Sequence, residues 1–150
     1  MGHTYTNLIA HVVFSTKTRQ PFITPSLRES LHPYLGGIVR NLKGTPSCIG
    51  GVEDHVHILA QFHASLSISE VVGKAKSGAT NWMHENRSEL FQFAWQTGYA
   101  AFSVGHSAVR DVCRYIENQE EHHRKVTFQE ELRTLLDESG IAYDERYIWA

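Results

Sequence analysis

Asp54-His55-Val56-His57-Ile58-Leu59-Ala60 is an apolar run into which two histidines are set, one residue apart. A short run of this kind predicts a β-strand. Side chains alternate faces along a strand, so His55 and His57 point to one face while Val56 and Ile58 point into the core. Two imidazoles side by side are half of a metal site. Taken alone, they are more typical of a half-solvated face that binds nothing.

A second apolar run lies just before the histidine strand, at residues 47–52, and only Glu53 and Asp54 separate the two. Short runs joined by so few residues must pair antiparallel. The histidine pair is therefore predicted to lie on a hairpin of strands 47–52 and 55–62.

Capping signals mark several helix starts in the rest of the chain. Thr24 precedes Pro25, and Ser67 and Thr127 are each followed three residues later by a glutamate. Ser107 is the expected cap of a further helix. The predicted helices cover residues 25 to about 43, 68 to about 85, 108 to about 125 and 128 to about 139. The remaining predicted strands cover residues 5–15, 91–95 and 99–104. Residues 143–149 are expected to form an aromatic tail that docks on the body.

This order of elements predicts one α+β domain over residues 1–150. Two hairpins and a lone first strand form an antiparallel sheet of about five strands, with helices packed on one face, of ferredoxin-like character. The other face is expected to be free for a ligand or a second subunit. A chain of this length buries about 70% of its unfolded surface, which is enough for a core of its own.

The composition is that of an ordinary globular protein, with 41% hydrophobic and 20% charged residues. The N-terminal residues lack the pattern of a signal peptide, and no apolar run approaches the roughly 18 residues of a membrane span. We therefore expect a cytoplasmic protein with no membrane contact. In that reducing compartment Cys48 and Cys113 are interpreted as two small buried hydrophobes.

Charge is distributed unevenly along the chain. The net charge of −2 argues against a globally basic nucleic-acid binder, but residues from Glu117 onward include 9 of the 16 acidic side chains and only 4 of the 14 basic ones. The preceding part is mildly basic, which is compatible with a polyanionic partner without being diagnostic of one.

The helix expected after Ser107 presents two polar side chains in nearly the same direction. Tyr115 and Gln119 are one turn apart and differ by about 40° around the helix axis. A phenol and a carboxamide oxygen would then face the same object. The alternative is a tyrosine whose ring packs against the sheet and a glutamine in water.

Four segments recur here in the order and spacing of a known family: Asp54-His55-Val56-His57, Phe93-Ala94-Trp95-Gln96 with Gly98-Tyr99, Phe102-Ser103-Val104, and Tyr115-Ile116-Glu117-Asn118-Gln119-Glu120-Glu121-His122-His123. With them the sequence resembles, from about Val12 to Trp149, the single-tyrosine HUH transposases of the insertion-sequence 200/605 family. The REP-associated tyrosine transposases are domesticated relatives of that family.

The resemblance implies an HUH endonuclease fold and a DNA strand transferase. It implies that His55, His57 and Gln119 hold a divalent ion, and that Tyr115 attacks a phosphodiester of single-stranded DNA. The products are a 5′-phosphotyrosine link and a free 3′-hydroxyl. The resemblance also implies a homodimer joined edge to edge through its sheets, DNA hairpins at the element ends as substrates, and a bacterial or archaeal, nucleoid-associated setting. No small-molecule cofactor is expected.

The implied chemistry suits these residue types. An ion with three protein ligands keeps open positions for a phosphate, where it can polarise a P–O bond and neutralise developing charge. Mg²⁺ or Mn²⁺ is the expected ion. Two imidazoles by themselves suit zinc or manganese better than magnesium, so the donor set leaves the identity of the ion open.

Several other residues are candidates for supporting roles. Asp54 is expected to cap the hairpin or to orient His55. Four later residues could supply a ligand or a base, but a solvated helix end is the favoured interpretation: Glu120, Glu121, His122 and His123. Lys74, Lys76, Arg110 and Arg114 are candidates for phosphate contacts. Trp95, Tyr99 and Phe102 could stack on bases, although core packing is expected for at least two of them.

Two other functions remain open at this point. A histidine-triad-like nucleotide hydrolase also uses a His-x-His strand, but that motif needs a third alternate histidine, and Leu59 stands at the position. A DNA-hairpin-binding module without catalysis is the alternative from another class. The presence of Tyr115, His55, His57 and Gln119 argues against it.

Overall fold

The histidine strand is an inner strand of a four-stranded antiparallel sheet in the computed structural model, which describes residues 2–149. The strands lie in the order β2-β3-β1-β4. They are β1 (Leu8–Ser15), β2 (Thr45–Val52), β3 (His55–Phe62) and β4 (Ala100–Ser103). The predicted hairpin is present, since β2 and β3 pair antiparallel with Val52 opposite His55.

Five α-helices surround the sheet: α1 (Pro25–Asn41), α2 (Ile68–Asn86), α3 (Val109–Glu117), α4 (Gln119–His122) and α5 (Phe128–Glu138). Their starts follow local chemistry where a cap is present. Thr24, Ser67 and Thr127 accept hydrogen bonds from the backbone N–H groups of Leu27, Glu70 and Glu130. The α+β class is confirmed, together with these three helix starts.

Helices cover both faces of the sheet, so the prediction of helices on one face only is wrong. Helices α1 and α2 pack on the face that carries Val12, Phe14, Val56 and Ile58. The histidine face is also apolar at Ile9, Val13 and Leu59, and those side chains need cover of their own. Ile116 of α3 packs against Ile9 and Leu59, whereas α5 packs against Val13.

The sheet has four strands rather than about five, because residues 91–95 do not form a strand. A 3-10 turn at Ser88–Leu90 leads into this segment, and Trp95 makes only an isolated bridge with Thr16. Phe93 and Trp95 instead anchor the segment in the core beside Phe14 and Phe22. The alternation of aromatic and small residues thus reflects core anchoring, and β4 pairs directly with β1.

Helix α3 does not begin at a Ser107 cap. Ser107 lies in a 3-10 turn at His106–Ala108, and the N-cap of α3 is Ala108, which forms no side-chain cap bond. The helical segment also breaks at Asn118, so that Tyr115 lies in the last turn of α3 and Gln119 begins α4. The break lets Gln119 turn inward, where it is only 1% exposed.

Cys48 of β2 and Cys113 of α3 form a disulfide, so the interpretation of two separate small buried hydrophobes is wrong. Docking of α3 on β2 brings the Cα atoms of Cys48 and Cys113 to 5.9 Å from each other, which is within the span of a disulfide. The cross-link joins the helix that carries Tyr115 to the edge of the sheet.

The C-terminal residues dock on the body as predicted. Tyr143 and Trp149 pack beside Leu132 and Leu136 of α5, and Gln96 Nε2 donates a hydrogen bond to the carbonyl oxygen of Ile148 (2.8 Å). Among residues 2–149, no helix is both long and apolar enough to cross a membrane.

Candidate active site

His55 and His57 lie on one face of β3, and both rings are fully buried. Their Nε2 atoms approach the same carboxylate oxygen, Oε1 of Glu131, at 3.2 and 3.1 Å. Phe128 stacks on the His55 ring with 4.4 Å between centroids, which closes the site on the side of α5. The strand periodicity therefore delivers two imidazoles to one enclosed point.

A separate partner holds the other ring nitrogen of each histidine. His55 Nδ1 donates to Asp54 Oδ1 (2.7 Å), and His57 Nδ1 shares a hydrogen bond with Nε2 of His11 (2.7 Å). His11 lies on β1 and is 4% exposed. Partners of this kind fix the orientation and tautomer of histidines that bind metals. The contact to Asp54 has the geometry expected of an orienting residue, and His11 was not expected from the sequence.

Tyr115 and Gln119 face the histidines of their own chain. The Tyr115 ring lies 5.8 Å from that of His57, centroid to centroid. Gln119 Oε1 lies 3.0 Å from His55 Nε2, and Gln119 Nε2 donates to Glu131 Oε2 (3.0 Å). The structure thus brings together the four residues that the sequence singles out for catalysis and ion binding.

Glu131 is a second residue that sequence reasoning missed. Its carboxylate is 3% exposed; Oε2 accepts a hydrogen bond from the Tyr115 hydroxyl, and Oε1 lies 3.1 Å from His123 Nε2. A signal for it exists in the sequence. Glu131 falls on the buried stripe of α5 formed by Phe128, Leu132 and Leu136, and an acidic residue at such a position is rarely buried without a partner.

Burial and the carboxylate determine the electrostatics of the cluster. Burial alone would lower the pKa of His55, but hydrogen bonds with Asp54 and Glu131 raise it to about 9. Burial lowers the pKa of His57, and it lowers that of His11 to about 3. The pKa of Tyr115 is raised well above its usual value by burial and by the charge of Glu131. Without a cation, the cluster therefore holds the phenol in its neutral form.

The donor set fits a divalent ion. Two ligands at right angles around an ion with bonds of about 2.1 Å are separated by about 3 Å. The spacing from His55 Nε2 to Gln119 Oε1 is 3.0 Å, and the imidazole and carboxylate atoms of His55, His57 and Glu131 all lie within 4.8 Å of one another. In addition, the buried Nε2 atom of His122 makes no hydrogen bond within residues 2–149, although it lies 3.4 Å from Glu131 Oε2.

His122 and His123 belong to this cluster, whereas Glu120 and Glu121 are exposed. The prediction of a solvated helix end is therefore correct for the glutamates and wrong for the histidines. Helix α4 turns His123 inward, where Nε2 lies 2.9 Å from Gln119 Oε1. A cavity of about 360 Å³ adjoins Tyr115 and is also lined by His122 and Glu131, among others.

The four basic candidates for DNA contacts lie on different layers. Arg110 and Arg114 are exposed on α3, on the face of the sheet that carries the histidines. Lys74 and Lys76 lie on α2, which covers the opposite face. Lys76 Nζ donates to the carbonyl oxygens of Gln96 and Gly98, and burial lowers its pKa to about 8.

Two of the three candidate stacking residues pack in the core, as expected. Trp95 contacts Phe14 and Phe93, and Phe102 is 8% exposed beside His11. Tyr99 is 42% exposed and lines a surface groove with Tyr143 and Tyr147.

Comparisons with known proteins agree with this geometry. The structure is similar to that of a candidate transposase from Deinococcus radiodurans R1, with a TM-score of 0.65, 22% identity, and coverage of 79% of this chain and 96% of the other. It is also similar to a REP-associated tyrosine transposase bound to a REP hairpin, with a TM-score of 0.62, 13% identity, and coverage of 96% and 91%. At these identities the two structures establish a shared fold.

A search of curated proteins gave no significant match. The family model described as "Transposase IS200 like" matches residues 4–119, which is most of the chain and includes the histidine pair, Tyr115 and Gln119. The chain therefore belongs to the IS200-like transposase family.

Proposed function

We propose that this transposase cleaves and rejoins single-stranded DNA at hairpin-containing ends through a 5′-phosphotyrosine intermediate, with the help of Mg²⁺ or Mn²⁺. The observation that carries the proposal is the convergence of Tyr115, Gln119 and the histidine pair on one point. The histidines lie on β3, whereas Tyr115 and Gln119 lie on α3 and α4, and His55 and Gln119 are 64 positions apart in the sequence. A purely structural network would not need a phenol directed at a metal-type donor set beside a surface cavity.

Each residue has a defined task in this reaction. Tyr115 Oη attacks phosphorus, the P–O3′ bond breaks, and the 3′-oxygen takes up a proton from solvent and leaves as a hydroxyl group. The phosphotyrosine bond keeps the strand available for rejoining. The phenolic proton has an acceptor in place, because Tyr115 is hydrogen-bonded to Glu131. His55, His57 and Gln119 are the proposed ligands of the ion, with Asp54 orienting His55. When bound, the ion polarises the phosphodiester and stabilises charge in the transition state.

The proposed partners are single-stranded DNA hairpins and a second copy of the chain. A REP hairpin is bound by the REP-associated transposase of similar fold, which supports the choice of substrate. Strands β2 and β4 form the edges of the sheet, and an edge strand is suited to pairing with the same edge of a second copy. A setting in the cytoplasm of a bacterium or archaeon, at the nucleoid, is part of the same proposal.

Exposed arginines are the favoured phosphate contacts among the four basic candidates. Arg110 and Arg114 precede Tyr115 on α3, and within residues 2–149 Arg114 forms only a long ion pair with the exposed Asp111 (3.8 Å). An exposed pair of this kind is weak and can exchange Asp111 for a phosphate. Lys74 and Lys76 remain predictions, with less support because α2 lies behind the sheet.

Formation of a covalent adduct tests the proposal. The protein is incubated with Mn²⁺ and a labelled pool of single-stranded hairpin oligonucleotides with randomised flanks, and adducts are detected on denaturing gels. We expect an adduct with the wild type and none with Tyr115→Phe. The matched control is Tyr34→Phe, because Tyr34 stacks on Trp82 behind the sheet.

A second variant tests the role of the ion. His57→Ala should abolish cleavage while most of the hairpin affinity remains, since the histidine is a buried ligand and not a DNA contact. Unchanged cleavage in this variant would contradict the ligand assignment. Hairpin binding without any adduct would favour the binding module, and hydrolysis of nucleotides would favour the hydrolase. That hydrolase is already disfavoured because Leu59 packs against Ile116.

A further inference from the structure

Glu131 is delivered to the centre of the histidine cluster by α5, a helix that lies beyond residues 4–119 matched by the family model. Three apolar neighbours on the same helix face, Phe128, Leu132 and Leu136, pack in the core with Val13 and Phe102. This packing fixes the direction of the Glu131 side chain. The carboxylate is therefore held in place by the helix and is not a mobile surface group that happens to reach the site.

The two carboxylate oxygens face different partners. Oε1 faces the nitrogens of His55, His57 and His123 at 3.1–3.2 Å. Oε2 accepts hydrogen bonds from Tyr115 Oη and from Gln119 Nε2. The spacing around Oε1 equals the separation of about 3 Å expected between neighbouring ligands of one ion with bonds of about 2.1 Å. One oxygen is thus directed toward the ion position and the other toward the nucleophile.

The hydrogen bonds on the far side of the His55 ring explain what must lie between these atoms. Asp54 is a carboxylate and accepts only, so Nδ1 of His55 carries its proton toward Asp54. In a neutral imidazole, Nε2 then has a lone pair, and this lone pair faces the lone pairs of Glu131 Oε1 at 3.2 Å. Such a contact requires a positive charge between the two atoms, which is a proton on Nε2 in the metal-free protein and would be the ion in the metal-bound one.

We propose that Glu131 is a further protein ligand of the divalent ion, beside His55, His57 and Gln119, and that its second oxygen positions the hydroxyl of Tyr115. The inference rests on the proposed metal-assisted function and adds a negatively charged ligand to an otherwise neutral donor set. A carboxylate neutralises part of the ion's charge in this buried space and is a ligand preferred by Mg²⁺ and Mn²⁺. It also makes α5 a part of the active site.

Binding of Mn²⁺ alone, without DNA, tests the role of Glu131. The dissociation constant is measured by calorimetry at one pH for the wild type, Glu131→Gln and Glu130→Gln. Glutamine has the size of glutamate and keeps a hydrogen-bonding side chain at the site. Glu130→Gln is the matched control, since it changes the same charge on the adjacent exposed residue and glutamine is accepted in a capping box.

We expect Glu131→Gln to weaken Mn²⁺ binding by about tenfold or more and Glu130→Gln to change it by less than about twofold. Equal affinity of Glu131→Gln and the wild type would overturn the inference. A tighter affinity would also overturn it, because the carboxylate would then be a group that competes with the ion for the histidines. Circular dichroism checks the fold. If Glu131→Gln does not fold, Glu131→Asp, which retracts the same charge by one methylene, should show the same weakening.

The outcome is separable from failure of the proposed function. If the wild type binds Mn²⁺, His57→Ala does not, and Glu131→Gln still does, then the histidine site stands and only the role of Glu131 is wrong. If the wild type binds no Mn²⁺, the ion-assisted mechanism and this inference both fail. The covalent adduct is measured independently and reports on Tyr115.

Discussion

His55 and His57 are useful as ligands because other residues hold their rings. Asp54 fixes His55 through Nδ1, and His11 fixes His57 in the same way from the neighbouring strand. This leaves Nε2 of both rings directed toward Glu131, and that of His55 also toward Gln119. A buried histidine without such a partner could rotate or exchange tautomers, so these contacts determine whether the pair can act as ligands.

The ion pair of Asp54 with His55 predicts how the stability of the metal-free protein depends on pH. The folded-state pKa of His55 is about 9, above the ordinary value of 6.5. A raised pKa stabilises the fold fully below pH 6.5, and this stabilisation is lost as the pH rises through about 9. With a chelator present, Asp54→Asn should therefore lower the free energy of unfolding more at pH 6.5 than at pH 9.

Chemical denaturation of the two proteins at both pH values measures this effect. A difference in the free energy of unfolding that is the same at both pH values, or larger at the higher one, would contradict a charged His55 in the metal-free fold. The exposed Asp111→Asn provides a matched control for the change of charge on an aspartate, because Asp111 has only its weak surface pair with Arg114.

The sequence predicts most of the candidate site at this scale, but not all of it. The His-x-His spacing and the positions of Tyr115 and Gln119 are local patterns, and the structure brings these side chains together. Glu131 and His11 join the cluster only because α5 and β1 meet there, which no local pattern states. A glutamate on the apolar stripe of α5 was the available signal for one of them.

At the level of elements, the position of α3 on the sheet determines where Tyr115 lies. Ile116 is fully buried on Leu59, and the backbone of α3 closely approaches β2 at Gly50. A Cβ atom at position 50 would lie 2.3 Å from the carbonyl oxygen of Ile116. Glycine therefore permits a contact that any larger residue would prevent, next to the nucleophile.

Gly50→Ala should displace α3 and reduce both stability and adduct formation. We expect a loss of about 1–3 kcal/mol in the free energy of unfolding, which is typical of overpacking. Gly37→Ala is the control, because a Cβ atom at Gly37, inside α1, would meet nothing within 4 Å. Thermal denaturation and the adduct assay measure the two effects. A Gly50→Ala protein with the stability and activity of the wild type would contradict this placement of α3.

Helix starts were predictable from local chemistry, whereas the layers were not. The caps at Thr24, Ser67 and Thr127 act within one helical turn, so the sequence identifies them directly. The helices that cover the histidine face, α3 and α5, pack on strands that are distant from them in sequence, so local patterns do not predict this contact. Residues 91–95 alternate aromatic and small side chains as a strand would. In the structure, Phe93 and Trp95 pack in the core, and the segment pairs with the sheet only through the isolated bridge at Trp95.

The whole molecule places its reactive side chains between two layers. The sheet supplies the histidines, and α3, α4 and α5 close over them with the nucleophile, the glutamine and the carboxylate. The cavity beside Tyr115 connects this space with the surface. Within one chain, the proposed ligands and the proposed nucleophile lie around one point.

The residue and the strand end in the covalent adduct test the central claim most directly. Hairpin DNA labelled at either end is incubated with the protein and Mn²⁺, and the adduct is digested and analysed by mass spectrometry. The account predicts that the 3′-labelled fragment stays with the protein, that the 5′-labelled fragment is released with a free 3′-hydroxyl, and that the modified peptide contains Tyr115. Attachment to any other residue, or retention of the 5′-labelled fragment, would contradict it.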